Sequence, residues 1–491
     1  MTSQTRTGLG SPSPAPPRAG VGSVPRAGVG SVPRAGVGSV PRAGVGSVPR
    51  ADVGSVPRGA AAVTVAGSGR AGWRTRMTTV AVGLLCVAAF QASSANAWLV
   101  VLEASAAAIL LRCRVPRPRL PDVLAVAVAC WAQLTVVWSS DVAQTRSVAL
   151  AYTSACLLFV AVRHVVTTPR HLLAVGGSYI VGCVIAAWGL IIEARGAGGQ
   201  ASAWDMAVRF GIEGTNINFT AYSSVTAFLL ALGLLKIRGQ PRLVTIGLIA
   251  ALPVLASGVF LNRTKGALVA LLLIVVYALL SELNPRAMWV AAAAVVPTLL
   301  VTVPLGLGQS ALSWADGVIG SAATGDVLSR IELWRYASSY WWDALWFGDG
   351  AGIFEIGNTL GIRPHNAVLA VAVDLGLVGL LGVAALFGSV LARRAAQCPV
   401  GLRVAGLFLV GGFPIWLTGV WEFERGPWLV LALLSMLPVQ VTGRRGTRSG
   451  STDDPSAGRD RRPSIRPMAE GATSHRGGPS PRYVHGRLLV Q

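Results

Sequence analysis

Four consecutive residues, Arg363-Pro364-His365-Asn366, stand at the mouth of a long apolar run, and an acid, Asp374, follows two to three helical turns deeper. Ionisable groups at the edge of lipid or inside it are expensive, so they normally face a polar cavity or each other. An imidazole titrates near neutral pH and can take a proton from an attacking hydroxyl, as a general base does. Arginine stays protonated, and its planar fork suits a phosphate or diphosphate through paired, charge-assisted hydrogen bonds. A histidine and arginines at a membrane surface therefore fit chemistry on a phosphorylated, membrane-held substrate. A loop histidine standing alone would more simply be structural or solvated.

Other cations share this side of the chain in the topology derived below. Arg209 precedes Asn216-Ile217-Asn218; Arg263 and Lys265 share a tight hairpin; Arg330 and Arg335 lie upstream of Arg363. Asp326, Glu332, Asp343, Asp349 and Glu355 are interspersed among them, and pairing with the local arginines suits these acids better than holding a metal. The plain reading of Arg330, Glu332 and Arg335 is a solvated, ion-paired helix face. A zinc site needs several close His or Cys ligands, and His365 has no such neighbour. There is no Walker-type loop, no dinucleotide fingerprint and no nucleophile elbow, so neither a cofactor nor a metal is expected.

The elements that must carry these residues are membrane helices. The chain is 53% hydrophobic and 13% charged, with a mean hydropathy of +0.58, whereas a soluble domain of this size carries about one quarter charged residues. Twelve apolar runs are expected to span, near 77–92, 95–111, 122–138, 147–162, 172–192, 218–235, 243–261, 266–281, 287–305, 367–391, 403–421 and 428–442. The fold class is thus all-α and polytopic, with a large outer loop, 306–366, before the tenth span. The net charge of +21 is concentrated at the ends: residues 1–76 and 443–491 supply +15 of it. Two basic tails around a membrane body fit cytoplasmic segments near anionic lipid rather than a nucleic-acid groove. Both tails are expected to be disordered. The first repeats Arg-Ala-Gly-Val-Gly-Ser-Val-Pro from Arg18, Arg26, Arg34 and Arg42, with Asp52 replacing a glycine in a fifth copy, too little apolar surface for a stacked repeat. Met77, which opens the first apolar run, would make a sensible start. The six cysteines show neither metal-ligand spacing nor a disulfide framework.

An even number of spans puts both termini on one side, and loops rich in arginine (Arg112 to Arg119, Arg163 and Arg170, Lys236 to Arg242, Arg393 to Arg403) mark that side as cytoplasmic. The loop near Asp141, segment 193–217, the hairpin Asn262–Lys265 and segment 306–366 then lie outside. Within 306–366, Ile331, Trp334, Trp341 and Leu345 fall at helical spacing, so an amphipathic helix lying on the membrane is expected. Gly348-Asp349-Gly350-Ala351-Gly352 should break it.

His365-Asn366, Leu369, Asp374, Gly376 and Gly379 resemble the signature of the O-antigen ligase/polymerase superfamily of membrane glycosyltransferases, with Asp374 standing where Glu is usual. Arg330-Ile331-Glu332-Leu333-Trp334-Arg335 and Gly348–Phe354 are similar to the family's Arg-Trp helix and glycine-rich turn. Asn262-Arg263-Thr264-Lys265-Gly266 resembles its Ser-Arg-Gly-type turn, and Arg209 with Asn218 is similar to an earlier outer Arg and Asn. The resemblance covers roughly 120–440 within a transmembrane domain of residues 77–442. It implies a metal-independent glycosyltransferase of the bacterial cytoplasmic membrane, with a polyprenyl-diphosphate-linked glycan as donor and a glycan or lipid-linked sugar as acceptor. His365 would be catalytic; Arg263 and Arg209 would bind diphosphate, and Arg330, Arg335, Arg363, Asn366 and Asp374 would serve substrate binding. The alternative is a polytopic transporter of a small solute, marked by internal repeats and helices broken near the midplane. No repeat relates the two halves of this chain.

Overall fold

The computed structural model describes residues 68–94, 98–112, 117–196, 210, 217–237, 239–302, 321–358, 361–397, 399–419 and 421–442. The octapeptide copies, Arg209 and the basic C-terminal segment lie outside the described residues. The described part falls in one compact unit, Val65–Gln491.

Among the described residues the regular structure is helical. In chain order the helices are α1 (Ser68–Gln91), α2 (Trp98–Leu111), α3 (Leu120–Leu134, continued by a 3-10 turn, Thr135–Val137), α4 (Val142–Val165), α5 (Pro169–Gly196), α6 (Ile217–Leu235) and α7 (Arg242–Asn262). There follow α8 (Lys265–Leu283), α9 (Pro285–Thr302), α10 (Ser321–Asp343), α11 (Ile353–Gly357), α12 (Ala367–Gln397), α13 (Pro399–Thr418) and α14 (Arg425–Thr442).

Among the described residues a helix stands at each of the twelve expected apolar runs, and nine of these helices, α3 to α9, α12 and α13, are long and apolar enough to cross a membrane. At 1.5 Å per residue, about 20 residues match a hydrocarbon core of roughly 30 Å. The expected twelve exceed that nine because α2 has only 14 residues, α14 contributes a shorter apolar stretch, Arg425–Leu437, and α1 carries Arg74 and Arg76. α1 also begins at Ser68, ahead of Met77.

Burial separates two kinds of helix. Only 11% of the apolar window of α9 is buried, and the outward side chains of α7 and α8 are leucine, isoleucine, valine and phenylalanine, as lipid-facing helices require. α14 is the reverse: Trp428 to Leu434 are buried throughout, against α4, α5, α6, α12 and α13, so this short helix is the axis of the bundle.

Polar bonds between helix ends fall into two sets. At one end Arg163 of α4 pairs with Asp122 of α3 (2.5 Å) and donates to Ser435 of α14 (2.6 Å), while Glu282 of α8 receives Lys236 (2.9 Å) and Arg403 (2.6 Å). At the other end the loops near Ser94, Asp141, Asn262, Gly348, Arg363 and Glu422 bond among themselves, the alternation a chain threading back and forth must produce.

Candidate active site

The N-terminal part of α12 organises the site. Asn366 is its cap: the side-chain oxygen accepts from the N–H groups of Val368 (3.0 Å) and Leu369 (3.1 Å), two of the donors that a helix start leaves without partners. Leu369 then packs with Val373, Leu333, Trp334, Ala337 and Phe354, so α10 is docked on α12 by one face. That face differs from the expected stripe, for Leu333 and Ala337 join Trp334, and α12 rather than lipid covers it. Tyr336, at the edge of this face against Phe354, and Trp342, with Trp346 and Phe347 after the helix, stay exposed, as an aromatic belt at a membrane surface would.

α12 is broken at Gly376, whose φ of 67° and ψ of −170° interrupt the helix. A break frees carbonyls before it and N–H groups after it, and none can be left bare at membrane depth. The turn after α10 fills both needs. Asp349 N–H donates to Val373 O (3.1 Å) and Gly350 N–H to Asp374 O (3.3 Å), while Leu377 and Val378 donate to Leu345 O (2.8 Å) and Trp346 O (3.2 Å). The Trp131 indole covers Leu375 O (2.9 Å), and the Trp138 indole reaches Gly348 O (3.0 Å). Such close backbone approach requires glycine: a Cβ on Gly348 would lie 2.6 Å from Asp374 O, and one on Gly376 would collide with the backbone of Trp346, Phe347 and Gly348. Gly348, Gly350 and Gly352 all have positive φ, so the expected glycine-spaced turn is present as a plug for the broken helix. A broken helix is one mark of a transporter, but this break is filled by protein.

Asp374 reaches in two directions. Oδ1 accepts from Gly352 N–H (3.0 Å), and Oδ2 accepts from Arg363 Nη2 (2.5 Å). The same Arg363 nitrogen donates to Glu422 Oε1 (2.8 Å), and the guanidinium lies over the Phe423 ring, 4.8 Å from its centroid. Glu355 approaches the other Nη at 3.9 Å. Arg363 is buried. Desolvation pushes its pKa down, but the Asp374 and Glu422 carboxylates push it up further, so it stays charged. Burial, helped by the neighbouring Asp374, pushes the Glu422 carboxyl up to about 7 against the opposing pull of Arg363. The charge of Arg363 is thus met inside the protein by the very Asp374 that the motif supplies. Glu422 escaped the sequence reading. It stands between the last two expected spans in a loop whose only signal is its acids, Glu422 and Glu424, next to Arg425.

His365 sits between these supports. Trp334 Nε1 donates to the carbonyl of Pro364 (2.9 Å) on one side, and the Asn366 cap lies on the other. Of the motif residues His365, Asn366, Leu369, Asp374, Gly376 and Gly379, only His365 is not buried. Its φ is +50°; among the described residues the only other non-glycine residue with positive φ is Arg263, at +57°. Left-handed backbone is disfavoured for residues with a Cβ and persists where the surroundings fix it, often at functional sites.

Arg263 closes α7 in the hairpin to α8 and is buried. Around it, Asn262 Nδ2 donates to Phe210 O (3.1 Å), and Thr264 Oγ1 bonds both Asn262 Oδ1 and Asn218 Oδ1, the latter at 3.1 Å. Thr418, at the end of α13, joins this hairpin to α10. Its hydroxyl meets Tyr222 OH (2.9 Å) and lies against Gly266, and its carbonyl accepts from Arg330 Nη1 (3.2 Å). The loop after Thr418 then links both halves of the site: Trp421 stacks on Phe219 of α6 (6.1 Å), and Glu422 holds Arg363. The structure therefore gathers Arg263, Asn218, Arg330, Arg363, His365, Asn366 and Asp374 at one end of the bundle. Arg335 is exposed on α10 at that end. No group of three or more His, Cys, Asp or Glu is placed to hold a metal among the described residues.

No curated protein matches the chain. A family model does match part of the chain, which agrees with a multi-pass membrane protein. The residues matched are 248–384, from within α7 through the Arg263 hairpin, α10 and the His365 motif to the far side of the break in α12, and the model is that of the O-antigen ligases, so over this segment the chain is similar to the O-antigen ligase/polymerase superfamily.

Proposed function

We propose that this protein transfers a glycan from a polyprenyl-diphosphate carrier to an acceptor hydroxyl at the outer face of the bacterial cytoplasmic membrane, without a metal ion, with both termini in the cytoplasm. The observation that carries this reading is the pairing of the two left-handed residues: one base, His365, and one cation, Arg263, each held in an unfavourable backbone conformation at the same end of the bundle. In the proposed step the acceptor oxygen attacks the anomeric carbon, the bond from that carbon to the diphosphate oxygen breaks, and His365 takes the hydroxyl proton. Polyprenyl diphosphate leaves carrying the negative charge. Arg263 and Arg330, together with Arg209 from the sequence pattern, stabilise it, which is work that fixed cations do best in a site with little water. Arg335 meets the outer phosphate or the glycan. Arg363, Asn366 and Asp374 shape the site, since their polar groups hold the loop and the broken helix.

The test is glycan transfer by the purified protein and by His365→Asn, each with and without a chelator. Asparagine tolerates left-handed backbone but cannot act as a base at neutral pH. The expected result is transfer by the wild type in both conditions and a loss of about 100-fold or more in the variant. Undiminished transfer by His365→Asn removes the histidine from the reaction, and loss of wild-type transfer to the chelator removes the metal-free mechanism. Solute flux into proteoliposomes with no glycan product would favour a transporter.

A further inference from the structure

Glu422 belongs neither to the matched segment nor to the motif, yet it touches the arginine two residues before His365. Its side chain is fully buried, and Oε1 takes a hydrogen bond from the same Arg363 nitrogen that Asp374 uses, while Oε2 has no hydrogen-bond partner. Charge balance does not call for it, because one carboxylate, Asp374, already neutralises the guanidinium. Burying a second carboxylate adds a second desolvation penalty without a second cation to offset it. Such an excess is a poor device for stability and a good one for fixing geometry.

The loop that carries Glu422 is itself fixed from three directions. Trp428 of α14 donates to the Glu422 carbonyl (2.9 Å), Phe423 meets Tyr152 of α4 edge-on (5.6 Å), and Trp421 lies between Phe219 and Tyr222 of α6. Phe423 also lies beneath the Arg363 guanidinium, which therefore has two carboxylates sharing its Nη2 and a ring below. From Arg363 the constraint passes along three residues: Pro364 has a ring-locked φ and a hydrogen-bonded carbonyl, and Asn366 is committed to the helix cap. His365 between them is left with the positive φ.

We propose that Glu422 is a positioning residue: with Asp374 it clamps Arg363 against the loop after α13, and through Arg363 it holds the left-handed turn that presents His365 to the acceptor. This rests on the glycosyltransferase reading for its catalytic consequence, but the clamp itself is open to a test that needs no turnover.

The experiment compares wild type with Glu422→Gln and Glu422→Asp, each purified as the full chain. The first readout is the rate at which diethylpyrocarbonate modifies His365, followed peptide by peptide, with His171 at the opposite end of the bundle as internal reference. The second is transfer kinetics. Glu422→Gln should change the His365 modification rate severalfold at an unchanged His171 rate, and lower kcat roughly 10- to 100-fold while KM for the donor stays within about twofold. Glu422→Asp keeps the charge, and it should fold and recover part of kcat should the glutamine variant prove unstable. An unaltered His365 rate in a folded variant overturns the proposal. So does a rise in donor KM at constant kcat, which would make the cluster a donor-binding site. Absence of transfer by the wild type would overturn the functional reading alone, and the modification rates would still decide the clamp.

Discussion

Arg363 and Asp374 are bound to each other, Nη2 to Oδ2 at 2.5 Å, across the cap and first two turns of α12. Both are buried, and Glu422 completes the cluster. Removing one partner of a buried pair strands the other and costs about 3–5 kcal/mol. Arg363→Met, which strands two carboxylates, is therefore expected to destabilise more than Asp374→Asn or Glu422→Gln. Adding Glu422→Gln to Arg363→Met should recover part of the loss. Thermal denaturation in detergent across this double-mutant cycle measures it, and simple additivity would contradict a shared cluster.

Two glycines of α12 should behave oppositely. At Gly376 any side chain meets positive φ and three backbone atoms of the plugging turn, so Gly376→Ala should cost about 4 kcal/mol or more, and the protein should fail to give a sharp melting transition. A Cβ on Gly388 meets nothing within 4 Å, and alanine there should be neutral or stabilise by up to about 1 kcal/mol.

Loss of the Asn366 cap should cost about 1 kcal/mol. Asn366→Ala is expected to lower both melting temperature and transfer rate, because the cap also fixes the residue next to His365. Asn366→Ser, which keeps an acceptor oxygen, should be milder in both measurements. Equal effects of the two would mean that the side-chain oxygen is not what matters.

Glu422 gives the protein a pH dependence of definite sign. Its folded-state pKa, raised to about 7 by burial, exceeds that of the unfolded chain, so the folded state holds this proton more tightly. The associated stability is complete below the ordinary carboxylate range, near pH 4.3, and is lost as pH rises through about 7. Arg363 and Asp374 face the carboxyl directly and Tyr152 lies nearby; Glu424, which burial also pushes up to about 7, titrates over the same window, so the Glu422 contribution is read from the difference between wild type and Glu422→Gln. The melting temperature should fall over that window in wild type, and the fall should be flatter in Glu422→Gln.

Much of this architecture was legible in the sequence because lipid imposes a simple rule: apolar runs must be helices, and their ends must carry the polar residues. The motif from His365 to Gly379 likewise announced a site, and Asp374 and Gly376 proved inseparable from the glycine turn upstream. What stayed hidden was division of labour. Asn366, Leu369, Asp374 and Gly376 read as a chemical signature, yet they cap, pack, clamp and bend. That distinction depends on hydrogen-bond partners more than 200 residues away, such as Trp131 to Leu375. Glu422 was hidden for the same reason: its partner lies 59 residues back, and the neighbouring Glu424 and Arg425 do not point to it. The covered face of α10 keeps Trp334 and Trp341 from the expected stripe and adds Leu333 and Ala337, which reveal their role only once α12 is set beside them.

The break at Gly376 also acts as a ruler for depth. The apolar window Ala367–Ala396 has 30 residues, up to about 45 Å of helix, against a hydrocarbon layer of roughly 30 Å. The sixteen residues from Leu377 to Ala392, before the polar end at Arg393 and Arg394, account for about 24 Å of that layer at 1.5 Å each. The break then falls about one turn inside the edge of the oily slab, and the rest of the short stem, with His365 at its tip, reaches beyond it. In the proposed function, a donor whose tail is dissolved in the slab would carry its phosphates and first sugar near that same altitude, and would not have to be lifted out of the membrane to meet the imidazole.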